Sequence, residues 1–129
     1  MKPIRVLLVD DEPMFPAALR ALFEHDERIV VVATADSGEA AVELARERKP
    51  DVALVDLAMP GLDGFELTRE LVAAETAPRV VAVSGLSNPL DAERALNAGA
   101  SSFLLKGDLF GEIAETIVTV SGEPGQAGA

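Results

Sequence analysis

Five short runs rich in valine, leucine and isoleucine, each followed by a longer segment with helical patterning, leave few folds open to this chain. The runs are IRVLLV (4–9), IVVVATA (29–35), VALVD (52–56), RVVAVS (79–84) and SFLLK (102–106). Strands that alternate with helices pair in parallel, because a parallel neighbour is reached only by a crossover, and the crossover helices cover both faces of the sheet. A strand covered on both faces reads as a continuous apolar run. The first, third and fourth runs have that character and belong at the centre, whereas the second suits an edge. The expected fold class is α/β: a doubly wound parallel (βα)5 sheet in a three-layer α-β-α sandwich.

The intervening segments carry helical spacing. ALRALFEH puts Leu19, Leu22 and Phe23 on one stripe, and Ser37 is the expected N-cap of SGEAAVELARER, where Ala40, Ala41, Leu44 and Ala45 recur at helical intervals. GFELTRELVAA continues the pattern with Phe65, Leu67 and Leu71. LDAERALNAG turns Ala95 and Leu96 inward and closes on Gly99, a left-handed C-terminal residue. The last helix, around residues 109–120, carries Ile113, Ile117, Val118 and Val120. Pro16 predicts a late start or a distorted first turn for the first helix, because proline lacks an amide donor. The closing SGEPGQAGA, residues 121–129, is small, polar and glycine-rich, and is expected to be a flexible tail or linker after a domain spanning 1–120.

Composition narrows the partners. A chain of 129 residues, 49% of them hydrophobic, suits one domain with its own core. Eleven basic against 22 acidic side chains leave a net charge of −11, which repels nucleic acid and anionic membranes, so direct nucleic-acid binding by this chain is not expected. No apolar run approaches the ~20 residues of a membrane span, and MKPIRVLLVDD is too short for a signal-peptide core. With no cysteine there is neither a disulfide nor a thiolate metal site, which agrees with a reducing, cytoplasmic setting. Without tryptophan or tyrosine, the aromatic platforms used for single-stranded nucleic acid are missing as well.

In an open parallel sheet, ligands bind outside the carboxyl ends of the strands, where the strand order reverses. Those ends supply Asp10 and Asp11 from VDDEP, Asp56 from VDLAMPGLDG, Ser84 and Gly85 after the fourth run, and Lys106 at the close of the fifth. Carboxylates ~5 Å apart, at an effective dielectric of ~20, repel by roughly 3 kcal/mol per pair, which asks for a cation between them. Hard oxygen donors with no histidine or cysteine nearby suit Mg²⁺, which keeps several waters and also ligates phosphate. Lys106 and Ser84 add donors for an anion arriving with the metal. The constellation points to a phosphoryl group bridging Mg²⁺ and Lys106. Asp56 is the natural acceptor, because it ends a central strand and nucleophilic carboxylates carry phosphoryl groups. Gly85 would leave the approach open.

Taken singly, each residue has an ordinary reading. Asp10 and Asp11 can cap the first helix and complement its dipole, and Asp56 can be a turn residue. MPGLDG is good turn chemistry in its own right. Lys106 can be a solvated surface charge and Ser84 a strand terminator. Coincidence shifts the balance, because independent structural roles do not bring three acids, a hydroxyl and an ammonium to one sheet edge.

At this point LLVDDEP, DVALVDLAMPGLDGFEL, VVAVSG and NAGASSFLLK, in order and spacing over about residues 4–120, resemble the receiver domain (CheY-like) of two-component response regulators. The resemblance implies a flavodoxin-like sheet of order 2-1-3-4-5. It implies that Asp56 accepts a phosphoryl group from a phosphohistidine of a sensor histidine kinase, and that the domain is a signalling module rather than an enzyme. By position, Asp11 and Asp56 would ligate Mg²⁺ with the backbone carbonyl of Ala58, Asp10 would act through a bound water, and Ser84 and Lys106 would take phosphoryl oxygens. Phosphorylation in the family draws the serine inward and turns an aromatic of the fifth strand behind it. Phe103 matches that aromatic, and ordinary packing is its other role. The fourth helix, fifth strand and fifth helix would be the readout face, with a homodimer through that face or a related one.

Two departures from the family pattern stand out. Receivers commonly follow the lysine with a proline in a cis bond, whereas Lys106 precedes Gly107, so a trans bond is expected. GASSFLLKGD instead is similar to receivers of NarL or LuxR-type transcription regulators, whose DNA-binding helix-turn-helix domain follows a linker; these residues contain no such domain. In the family, positions matching Ala58 and Leu86 tune the lifetime of the acyl phosphate. Competing readings are a stand-alone or atypical receiver acting through protein contacts alone, and an Mg²⁺-dependent phosphatase with an aspartyl nucleophile. The second generally shows Asp-x-Asp after its first strand, a pattern VDDEP lacks.

Overall fold

The computed structural model describes residues 2–59, 63–85 and 89–122. The middle of the MPGLDG turn, Leu86 and the tail beyond Gly122 lie outside the described residues. The elements in chain order are β1 (Ile4–Val9), α1 (Met14–Phe23), β2 (Ile29–Ala35), α2 (Gly38–Arg48), β3 (Val52–Asp56), α3 (Gly64–Ala73), β4 (Arg79–Ser84), α4 (Pro89–Ala98), β5 (Ser102–Leu105) and α5 (Leu109–Ser121). A 3₁₀ turn over Lys106–Asp108 joins the last two. The strands form one parallel sheet in the order β2-β1-β3-β4-β5, so the expected fold and strand order are observed.

Alternation along the central strands divides the core in two. Val6 and Leu8, Val52 and Leu54, and Val81 and Val83 face α1 and α5, meeting Leu19, Phe23, Leu109, Ile113 and Ile117. Their neighbours Leu7, Val9, Val55 and Ala82 face α2, α3 and α4, meeting Ala41, Ala45, Phe65, Leu71 and Ala95. Successive strand side chains point to opposite faces, and here both faces are covered, which is why positions 6–9, 52–55 and 80–83 are all apolar. β2 alternates instead, with Val30 40% exposed, as an edge strand with one open flank should.

Helix ends follow local chemistry. The Ser37 hydroxyl accepts from the Ala40 amide at 3.2 Å, as its N-cap position predicts. Asp63 caps α3 by accepting from the Phe65 and Glu66 amides at 2.9 and 3.2 Å. Gly99 has φ +113°, and a Cβ there would also stand 2.7 Å from Val72 Cγ2, so both backbone and packing demand glycine.

Four expectations need correction. Leu22 is 39% exposed, because Leu19 and Phe23, four residues apart, already fill the inward stripe of α1. Leu96 is 51% exposed, since Ala95 and Ala98 seat α4 on the sheet and leave the larger side chain outside. α1 begins at Met14, so the late start that Pro16 suggested is not observed; Pro16 lies buried in the first turn, where an amide donor has no intrahelical partner to lose. β5 ends at Leu105, and Lys106 opens the 3₁₀ turn rather than closing the strand.

Candidate functional site

The carboxyl ends of β1 and β3 are tied into the sheet before their acids leave it. The Asp10 amide donates to Ala35 O at 3.0 Å and the Leu57 amide to Val83 O at 2.9 Å, so the backbones beside Asp10 and Asp56 are fixed by neighbouring strands. Each acid then turns its chain. Asp10 Oδ1 accepts from the Glu12 amide at 2.9 Å, and Asp56 Oδ1 from the Ala58 amide at 3.0 Å. α1 takes no side-chain cap from Asp10 or Asp11, which removes the capping role considered for them. Carboxylate oxygens of Asp10, Asp11 and Asp56 lie within 4.8 Å of one another, with Asp10 and Asp56 buried and Asp11 exposed.

Lys106 reaches this cluster from the turn after β5. Its Nζ stands 3.0 Å from Asp10 Oδ2 and donates to Asp56 Oδ2 at 3.2 Å. The Asp10 contact is close but poorly aligned, so Asp10 Oδ2 is buried without a directed hydrogen bond. Burial pushes the Asp10 carboxyl above its ordinary range; the Glu12 amide and Lys106 pull it down by less, and the charge of Asp56 adds to the rise. For Lys106, burial favours the neutral amine, but the adjacent carboxylates of Asp10 and Asp56 together outweigh it and raise the pKa. Three acids against one ammonium leave excess negative charge, and one buried carboxylate oxygen lacks an aligned donor. The set fits a hard divalent cation, which would use oxygens the protein leaves undersatisfied.

Ser84 ends β4 as a buried residue paired in register with Leu105, next to Lys106. Phe103 pairs with Ala82 further down β5 and packs against the core beneath α4. Ala58 is exposed at the first turn after Asp56. A Cβ at Gly85 would meet only Lys106 Cδ, at 4.0 Å, so packing does not require a glycine there and the approach would stay open with alanine too. The Lys106–Gly107 bond is trans, as expected. Beside the cluster, a groove of about 480 Å³ is lined by Asp10, Asp11, Pro13, Pro16, Arg20 and Thr34 among others.

Sequence reasoning passed over two residues here. A Cβ on Gly64 would stand 2.6 Å from Leu57 Cα, so α3 packs its first turn directly on the residue following Asp56. The Phe15 ring lies 4.4 Å from Lys106 Nζ. The DG of MPGLDG, just before a helical pattern, was the available signal for the first; nothing short of the fold signals the second.

Residues 6–117 match the family model of the response regulator receiver domain. The chain is similar to the response regulator GacA of Pseudomonas viridiflava, 39% identical over 88% of this chain and 53% of that protein. It is also similar to the transcriptional regulatory protein LiaR of Bacillus subtilis, 38% identical over 94% of this chain and 58% of that protein. Among solved structures, the signal receiver domain of the putative response regulator NarL from Mycobacterium tuberculosis superposes with a TM-score of 0.88 at 34% identity, covering 95% of this chain and all of that one. The chain thus spans little more than half the length of the two curated relatives.

Proposed function

This chain belongs to the response regulator receiver domain family, and on that premise we propose that it accepts a phosphoryl group on Asp56 from a sensor histidine kinase. The observation that carries the reading is the convergence of Lys106 Nζ on Asp56 Oδ2 at 3.2 Å beside two further acids at one sheet edge. In the transfer, an Asp56 oxygen attacks phosphorus, the bond to the imidazole nitrogen breaks, and an acyl phosphate forms as the histidine leaves. Asp10, Asp11 and Asp56 would hold Mg²⁺, with Asp10 acting through a bound water and the turn at Ala58 offering its carbonyl; a cation held there would offset the excess negative charge of the acids and of the incoming phosphoryl group. Lys106 moves from Asp56 to a phosphoryl oxygen, and Ser84, at the end of β4, takes another.

The added charge and acceptor oxygens would bias a two-conformation element through Ser84 and Phe103. Output through α4, β5 and α5 is supported by Leu90 and Leu96, 63% and 51% exposed on α4, as apolar side chains available to a partner or to a second copy. A cytoplasmic role in transcription control, with residues 1–120 as the receiver and 121–129 as a linker to a DNA-binding domain, is supported by the likeness to the transcriptional regulatory protein LiaR, of which this chain spans little more than half. Among the described residues, no helix is long and apolar enough to cross a membrane.

The test is incubation with a small acyl-phosphate donor and Mg²⁺, followed by intact mass measurement. One added phosphoryl group in the parent protein and none in Asp56→Asn supports the reading. An unmodified parent, or equal modification of both, overturns it.

A further inference from the structure

Resting on that reading of Asp56, we infer that Phe15 is a positioning residue for the transfer: its ring, braced by Phe110, is a shelf that holds the Lys106 ammonium at the mouth of the carboxylate cluster. Lys106 Nζ lies 4.4 Å from the centroid of the Phe15 ring, within cation–π range. The Phe15 and Phe110 rings stand 6.1 Å apart at 69°, edge to face. Phe15 is partly buried against the α1–α5 side of the core, and Phe110 sits in the first turn of α5, just after the segment that carries Lys106.

Lys106 has reason to need such a shelf. It lies beyond the end of β5 on a long, flexible stem, and the next residue is Gly107, where even an added Cβ would meet nothing within 4 Å. The Leu109 amide closes the turn on Lys106 O, but neither the sheet ladder nor packing at position 107 fixes the direction of the lysine side chain. Two acids compete for the ammonium at 3.0 and 3.2 Å, and one of them must release it when a phosphoryl group arrives. The ring has no such exchange to make. Its negative face attracts the ammonium before and after transfer, and so limits the directions in which Nζ can move.

The same turn positions shelf and acid. Asp10 Oδ1 accepts from the Glu12 amide at 2.9 Å, and Glu12 O accepts from the Phe15 amide at 3.2 Å. Pro16, buried immediately after, anchors that first helical turn. Any rotation of the turn would therefore shift the carboxylate and the ring together.

The experiment compares Phe15→Leu, which keeps an apolar side chain without a ring face, with Phe15→Tyr, which keeps the face. The first readout is the ring-current shift of the Lys106 ε-methylene protons in the metal-free protein. The second is the rate of Asp56 phosphorylation by acetyl phosphate with Mg²⁺, resolved into the saturated rate and the half-saturating donor concentration. Phe15→Leu should lose the upfield shift and slow the saturated rate about three- to tenfold, with the half-saturating concentration and the cooperative melt near those of the parent. Phe15→Tyr should keep both shift and rate, and Phe110→Leu should show a smaller loss in the same direction. A leucine variant at residue 15 that retains the shift or the parent rate overturns the inference, as does a tyrosine variant that falls as far as leucine. A parent protein that never becomes phosphorylated is a different result, and overturns the functional reading beneath.

Discussion

Lys106 Nζ donates to Asp56 Oδ2 at 3.2 Å, so the ammonium from the turn after β5 already occupies one of the two oxygens from which an acyl phosphate would form. A contact of this kind, between a lysine side chain only 24% exposed and a buried aspartate, is sheltered from water rather than a solvated surface pair. Lys106→Met should slow phosphorylation of Asp56 by roughly tenfold or more, the scale of one charge-assisted hydrogen bond. Rates from a small acyl-phosphate donor check this. A variant as fast as the parent would place Lys106 outside the transfer.

Asp10 carries the opposite burden. Burial raises its folded-state pKa above the ordinary 3.8, so the stability linked to the protonated form is present below that value and lost as pH rises through the folded value. Ionising this buried carboxyl as pH rises therefore weakens the metal-free fold. Asp10→Asn keeps an acceptor for the Glu12 amide and removes the charge, so it should raise the melting temperature by a few degrees in chelator. Added Mg²⁺ should shrink that gain, because the ion stabilises only the parent site. Paired melts with and without Mg²⁺ decide it; an asparagine variant that melts below the parent in chelator contradicts the account.

Gly64 is the tightest contact behind the site. A Cβ there would stand 2.6 Å from Leu57 Cα, and backbone atoms at that distance cannot yield without moving the chain beside Asp56. Gly64→Ala should cost about 1–3 kcal/mol, the range for overpacking. Chemical denaturation measures it, and a variant as stable as the parent would show that α3 shifts freely.

Far from the site, Arg28 closes the loop before β2. It donates to Asp26 through Nε and Nη2 at 3.0 and 2.8 Å and reaches Glu115 of α5 at 2.7 Å. The Arg28 side chain, and then its backbone amide, hold the Asp26 carboxyl down at about 2. A lowered pKa stabilises the fold above the ordinary value of 3.8 and loses that contribution as pH falls towards 2. Asp26→Asn should flatten the stability curve in that window, by no more than about 1 kcal/mol for so exposed a pair. Melts across the acid limb test this, and a slope unchanged by the substitution would refute it.

The strand runs were legible because burial on both faces writes itself as unbroken apolar sequence from Val6, Val52 and Val80, and those stretches stop at Asp10, Asp56 and Ser84. Lys106 was assigned one element too early, since a strand-like run does not show where hydrogen bonding stops. The helical stripes were harder. Leu22 and Leu96 sit beside inward positions and share their spacing, but smaller or better-placed neighbours took the seats. The acids and the lysine could be gathered from their places at strand ends alone. Gly64 against Leu57 and Phe15 beneath Lys106 could not, because each contact joins separate elements at a distance that only the packed fold sets.

The most direct test of the central claim is chemical trapping of the modified side chain. An acyl phosphate, unlike a phosphoserine or phospholysine, is reduced by borohydride to an alcohol. After treatment with phosphoryl donor and Mg²⁺, reduction should convert the aspartate at position 56, and no other residue, to homoserine in peptide mass maps. Reduction at another acid, or none at all in a protein that has gained a phosphoryl group, would contradict the assignment of Asp56 as the acceptor.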